Sequence, residues 1–241
     1  MNEFIQSVKD NASFLLVCLL VFLALFAIAA LIQKYCLKTV KEVSKARRVS
    51  YIAMFSVLAA VLMFLEIPLF FAPSFYEIDF SEVPVLICTF YLGPVAGVTT
   101  EMVKVILKIL LKGTTTAYVG DFANFVVGCS FVLPASIVYH LKKSKGTAIG
   151  GMALGTICMT IFGSLFNAVY LLPKFAQLFG MPLDAIIGMG TQVNGAINSV
   201  STLVLFAVVP FNLIKGVLVS IITYLLYKRV EKLLVVHDKS Y

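Results

Sequence analysis

The sequence has no tryptophan, only two histidines, and charged residues at just 13% of its 241 positions, against about 25% in an ordinary soluble domain. His140 and His237 both adjoin basic segments, which excludes a bis-histidine haem or a histidine-rich metal centre inside an apolar run. No cysteines stand at CxxC spacing. Cys18, Cys36, Cys88, Cys129 and Cys158 read as small buried hydrophobes. There is no GxxxxGK[ST] loop, so the chain does not hydrolyse ATP by that route. HExxH and GxSxG are missing too, so a protease or esterase of those classes is unsupported. No long polar stretch could form a separate soluble domain.

What is present is apolar residue, 61% of the chain. One water-soluble core cannot hide that much apolar surface, whereas lipid as solvent removes the difficulty. The expected fold is all-α, a polytopic membrane helix bundle. The formal charge of +7 sits in short clusters between apolar runs, the pattern that orients spans in a membrane, and no nucleic-acid partner is expected.

The first run, Ser13–Ile32, reads as a retained span. Ala27-Ile28-Ala29 imitates a cleavage site, but the run is too long for a signal peptide and its basic residues follow it. Lys34, Lys38, Lys41, Lys45, Arg47 and Arg48, against Glu42 alone, mark the cytoplasmic side. A span over Val49–Leu65 follows. Then comes an acidic outer loop with Glu66, Glu77, Asp79 and Glu82. Val83–Leu92 and a helix ending near Leu111 are joined at Gly93-Pro94, and a threonine-rich outer loop follows them. Val119–Tyr139 is the next span, with Lys142, Lys143 and Lys145 at its cytoplasmic end. Thr147–Leu172 returns outward and is expected to stop at Pro173. Charge parity places Lys228, Arg229 and Lys232 inside. It therefore makes Phe211–Tyr227 the last crossing and Pro182–Val209 an outer helical loop. The sum is seven spans, or six and an N-terminal extra one.

Polar side chains at membrane depth face a cavity or another helix. Asp121, Asn124, Asn167, Asn212 and Lys215 all fall in the outer half, which suits a pocket for a neutral ligand with several hydrogen-bonding edges. The loop Phe70-Phe71-Ala72-Pro73-Ser74-Phe75-Tyr76 could close over a flat ring. Glu101, Lys104 and Lys108 share a helix face and fit either a structural ion pair with a snorkelling lysine or a proton relay. Gly151-x-x-x-Gly155 is expected to pack inside the bundle. Ser56-x-x-x-Ala60 fits either such packing or a partner-docking face.

Asp79-Phe80-Ser81-Glu82-Val83-Pro84, followed by Gly93-Pro94-Val95-Ala96-Gly97, resembles the substrate-binding (S) components of energy-coupling factor (ECF) transporters. Thr114-Thr115-Thr116, Gly120-Asp121-Phe122-Ala123-Asn124-Phe125 and Pro210-Phe211-Asn212-Leu213-Ile214-Lys215-Gly216 are similar to the riboflavin-specific kind. The resemblance implies a six-helix S-component core over residues 49–229. It is preceded by an extra transmembrane helix and basic linker (1–48) and followed by a cytoplasmic tail (230–241). It further implies a bacterial cell-membrane subunit that is not an enzyme and has no cofactor of its own. Such a subunit captures riboflavin and works with a transmembrane coupling (T) protein and two cytoplasmic ATPases. Asn167, Asn212 and Lys215 match the family's ligand positions, and Phe75, Tyr76 and Asp79 would belong to the covering loop. Ser56 and Ala60 are the nearest match to its docking motif. The chain departs from the family in its extra N-terminal span and at Glu77, where a lysine is common. The same scaffold holding another vitamin, a stand-alone ion-coupled carrier, and a membrane enzyme built on Glu101 and Lys104 are the competing readings.

Overall fold

The computed structural model describes residues 12–37, 40, 43–73, 75–114, 116 and 118–239. The sequence features at Lys38, Lys41, Glu42, Ser74 and Thr115 lie outside the described residues.

The chain inverts the soluble pattern. Large aliphatic side chains lie exposed in stripes along the helices, such as Val57 and Val61, Ile157 and Ile161, and Val217 and Ile221. Glu82, Glu101 and Lys104 are buried. Lipid is the solvent that makes both favourable. The helices are α1 (Ala12–Tyr35), α2 (Lys45–Met63), α3 (Glu82–Leu92), α4 (Pro94–Lys112), α5 (Val119–Lys142) and α6 (Lys145–Phe166). They continue with α7 (Leu172–Leu178), α8 (Leu183–Val193), α9 (Val200–Leu203) and α10 (Val209–Lys239). Two short strands, β1 (Ile67–Pro68) and β2 (Glu77–Ile78), pair antiparallel between α2 and α3. This hairpin marks the end of the bundle where the site lies.

Five stretches are long and apolar enough to cross a membrane: Phe14–Tyr35, Lys45–Met63, Val119–Lys142, Lys145–Leu178 and Val200–Leu234. The 11 residues of α3 rise only about 16 Å, half of a hydrocarbon core. All eleven are buried, so α3 is wrapped by protein instead of lipid. Pro94 starts α4 at a position where its missing N–H costs nothing.

Two expectations about helix ends are corrected. Pro173 does not stop its helix, and the last helix starts at Val200 instead of Phe211. Only Leu183–Val193, within the expected outer loop, forms a separate helix. The same device explains both. A π-turn over Asn167–Leu171 precedes Pro173, with Leu172 N–H donating to the Asn167 carbonyl. A second over Val204–Val208 precedes Pro210, with Val209 N–H donating to the Val204 carbonyl. Proline in a regular helix lacks its N–H and collides with the carbonyl four residues back. The widened turn before each proline opens the ladder there, and the rod continues.

The α5–α6 contact depends on Gly151 and Gly155, as their spacing suggests. A Cβ at Gly151 would stand 2.6 Å from the Ala135 carbonyl oxygen, and one at Gly155 2.5 Å from that of Phe131. The N-terminal α1 leans on α5 through Phe22 against Phe125 and Phe14 against Phe122. Gln33 Oε1 accepts from Val95 N–H at 3.3 Å, satisfying an orphan donor in the first turn of α4.

Gly151→Leu is expected to destabilise the protein by about 3 kcal/mol, since backbone cannot yield to the new side chain. Gly150→Leu meets open space and should leave thermal unfolding in detergent unchanged. Equal melting temperatures for the two variants would refute this account of the packing.

Candidate functional site: a polar cavity at the hairpin end

The hairpin hands the chain to α3 through Asp79, whose Oδ1 accepts from Ser81 N–H at 2.8 Å. Its Oδ2 lies 2.9 Å from Lys215 Nζ on α10, which also stands 3.2 Å from Glu82 Oε2. Glu82 Oε1 meets Lys104 Nζ at 3.3 Å, and Lys104 reaches Glu101 Oε2 at 2.6 Å and Ser81 Oγ at 3.1 Å. Five charges from the hairpin, α3, α4 and α10 thus form one buried chain. Gly128 makes room for it, because a Cβ there would lie 2.9 Å from the Glu101 carboxylate. Glu101 and Lys104 therefore belong to a structural network. Lys108, on the same helix face, pairs with Asp121 at 2.6 Å.

Next to this chain lies a cavity of about 180 Å³, opening beside a larger one of about 540 Å³. All eight residues read from the sequence as ligand-binding line one or both. Tyr76, Asn167, Asn212 and Lys215 line the deep cavity, Asp121 the outer one, and Phe75, Asp79 and Asn124 both. Asn167 Nδ2 donates to the Gly163 carbonyl at 2.8 Å, while its Oδ1 accepts from Tyr76 O–H at 2.8 Å. Asn212 Nδ2 donates to the Val208 carbonyl at 3.0 Å. These bonds fix both amides and leave each with further capacity. Asn212 also lies beside Gly163, the anchor of Asn167, and one turn before Lys215. The three side chains follow one another along the wall.

The threonine loop is scaffolding for α5. Thr114 Oγ1 accepts from Tyr118 N–H at 3.0 Å, and Thr116 Oγ1 from Gly120 N–H at 3.0 Å. This holds the first turn of α5, which carries Asp121 and Asn124. Lys112 pairs with Glu66 at the rim. Glu77 has its carboxyl pushed up by burial and by Glu66, with Lys112 opposing.

Sequence reasoning missed the apolar lid: Phe175, Phe179, Met181, Ile186 and Met189 line the outer cavity from α7, α8 and their connection. Phe175 and Phe179 stand at i, i+4, a signal hidden by the expectation that the helix ended at Pro173. Asn194 and Asn198 lie in turns, bonding Ala196 N–H and Thr202. Ser56 and Ala60 are both buried, with Ser56 Oγ donating to the Thr100 carbonyl at 3.4 Å. The pair seats α2 on α4. The exposed face of α2 carries Met54, Val57, Leu58 and Val61 instead.

The family described as "ECF transporter, substrate-specific component" matches residues 47–227. The chain belongs to that family. It is thus a multi-pass membrane transporter subunit and not an enzyme. Similar proteins include the riboflavin transporter RibU of Staphylococcus aureus, 37% identical over 78% of this chain and 92% of that protein. The riboflavin transporter FmnP of Bacillus subtilis is 31% identical over 78% and 93%. The solved S component of a bacterial ECF transporter superposes with a TM-score of 0.62 at 37% identity, covering 79% of this chain and 99% of that one. The all-helical bundle read from the sequence is the fold of that relative.

Lys104→Met would leave two carboxylates buried with one counter-charge fewer, an expected loss of about 3–5 kcal/mol. Adding Glu101→Gln should recover part of it. Thermal unfolding in detergent checks both, and a single variant as stable as the native chain would refute the network's structural role.

Proposed function

We propose that this chain captures riboflavin at the membrane's outer face as the substrate-binding subunit of an ATP-driven ECF importer. A coupling protein in the membrane and two cytoplasmic ATPases would supply the energy, in keeping with a chain that has no phosphate-binding loop of its own. The names of the similar proteins support the vitamin. The observation that carries the reading is the wall formed by Asn167, Asn212 and Lys215.

That wall has capacity left in a definite order. Asn167 retains one N–H, Asn212 retains Oδ1, and Lys215 retains one N–H beyond its two carboxylates. Donor, acceptor and donor complement the imide edge of a flavin, whose carbonyl, N–H and carbonyl present acceptor, donor and acceptor. The ring's faces would meet Phe75, Tyr76, Phe175 and Phe211, which line the same cavity. A volume of about 540 Å³ beside the deep wall lies within the range of small-molecule pockets, about 300–1,000 Å³.

The polarity of the bundle agrees. Lys142, Lys143 and Lys145 lie at the end opposite the hairpin, and basic clusters favour the cytoplasm. The cavity then opens outward, and the end of α10 with Lys228, Arg229 and Lys232 points inward.

Flavin fluorescence should be quenched on titration of riboflavin with the purified chain. Asn212→Ala should weaken binding by about tenfold, the worth of one hydrogen bond to a buried partner. Absence of quenching with the native chain would sink the assignment.

A further inference from the structure

Helices α6 and α10 meet at Gly216, where a Cβ would stand 2.6 Å from Thr156 Cγ2. From that contact toward Lys145 a groove of about 440 Å³ lies between them. Its walls are aliphatic. Ile149, Ile157, Val217 and Ile221 are each about half exposed, and Ala153 lies among them. Thr156 donates its hydroxyl to the Met152 carbonyl at 2.9 Å, so it brings no free donor to the lining. From Ile149 to Ile157 the helix rises about 12 Å, most of one leaflet in a hydrocarbon core about 30 Å thick. The groove shares no lining residue with the polar cavities at the hairpin end.

One end of the groove is basic. Lys145 stands one turn before Ile149 on α6, and Lys228 and Lys232 follow Tyr224 at steps of four on α10. Lys228 pairs with Glu231 at 2.7 Å. Lys145 and Lys232 are exposed, and no ion pair is recorded for either among the described residues. The first turn of α6 adds backbone donors. Ser144 Oγ accepts from Thr147 N–H at 3.1 Å, whereas no acceptor is recorded among the described residues for the N–H groups of Lys145 and Gly146. A helix start beside uncommitted lysines attracts an anion. Tyr224 lines the groove at this end, and rings with a polar tip collect at headgroup depth.

A partner helix would need small residues to approach closely. The small residues of these two helices already serve contacts within the bundle: Gly151 and Gly155 face α5, Gly163 faces Asn212, and Gly216 faces Thr156. An acyl chain needs no such stripe, because it follows an irregular aliphatic channel. Basic pockets between membrane helices hold anionic headgroups.

We propose that this groove is a binding site for one anionic phospholipid of the leaflet on the Lys145 side, the inner leaflet in the orientation given above. An acyl chain lies against Ile149, Ala153 and Ile221. The headgroup phosphate sits on Lys145, Lys232 and the start of α6. The lipid thereby fills the seam between the helix that carries Asn167 at its outer end and the helix that carries Asn212 and Lys215.

The probes are phosphatidylglycerol and phosphatidylcholine with identical acyl chains. Each is titrated into the delipidated full chain in detergent, and bound lipid is counted by native mass spectrometry. Phosphatidylglycerol should saturate as a one-to-one adduct at about tenfold lower concentration than phosphatidylcholine. Lys145→Gln combined with Lys232→Gln should bring the two lipids within about threefold of each other. Lys34→Gln, at the end of α1, should leave the preference unchanged. Ala153→Phe, which fills the groove from an exposed position, should remove the one-to-one adduct. Equal binding of the two lipids by the native chain would overturn the proposal. So would a loss of preference in Lys34→Gln as large as in the double variant, since that is general attraction to a basic surface. If Ala153→Phe leaves the adduct intact and instead blocks assembly with the coupling protein, the groove belongs to that partner and the proposal falls. Thermal unfolding in detergent checks that each variant is folded. If Ala153→Phe is not, the lysine pair still decides.

Discussion

The structure depends on one constraint: charges taken out of water must find each other. Asp79, Glu82, Glu101, Lys104 and Lys215 come from four different elements, and none could be buried alone. Pairing them fixes the height of α3 against α4 and α10 and pulls the hairpin onto the bundle end. The pocket wall is a by-product of that chain, since Lys215 is aimed by the same carboxylates that neutralise it. A hydrophobic replacement could give a bundle of similar stability. It would not place an ammonium beside two amides.

The two π-turns solve a related problem in backbone. A binding site inside a helical bundle needs amides that project at a chosen height, and a regular helix offers few choices. Asn167 opens one π-turn, and Asn212 follows the other by four residues. Each amide sends Nδ2 back to a carbonyl four residues earlier, using local backbone to hold its rotamer. The prolines that follow carry no N–H to compete for the loosened carbonyls.

Much of this was legible in the sequence, for physical reasons that differ by element. Apolar runs located the spans because lipid enforces them, and the rarity of polar groups at depth picked out Asn167, Asn212 and Lys215. The closeness of Asp121 and Asn124 to that wall followed from counting which end of each helix they occupy. The continuation through Pro173 and the early start at Val200 were not legible. Proline is a stop signal unless the preceding turn widens, and nothing local announces that widening. The parity of charges treated 182–209 as one loop, although it holds a separate helix, a turn and the head of a long rod. Ser56 and Ala60 illustrate the limit of small-residue stripes. Such stripes say that something approaches closely, and only the fold shows that it is α4.

The make-up of α4 has a consequence for how the chain is built into its membrane. Glu101 and Lys104 fall mid-helix, with Lys108 and Lys112 one and two turns on. A charged side chain at the centre of a lone inserting helix costs about 2.5–3.5 kcal/mol on insertion scales. Helix α4 is thus a poor substrate for the translocon by itself. Lys104 has one carboxylate, Glu101, on α4 itself and a second, Glu82, from α3, while the one that offsets Lys108 arrives with α5. Insertion of α4 is therefore less costly in the company of α3 and α5, whose carboxylates complete the pairing of its lysines.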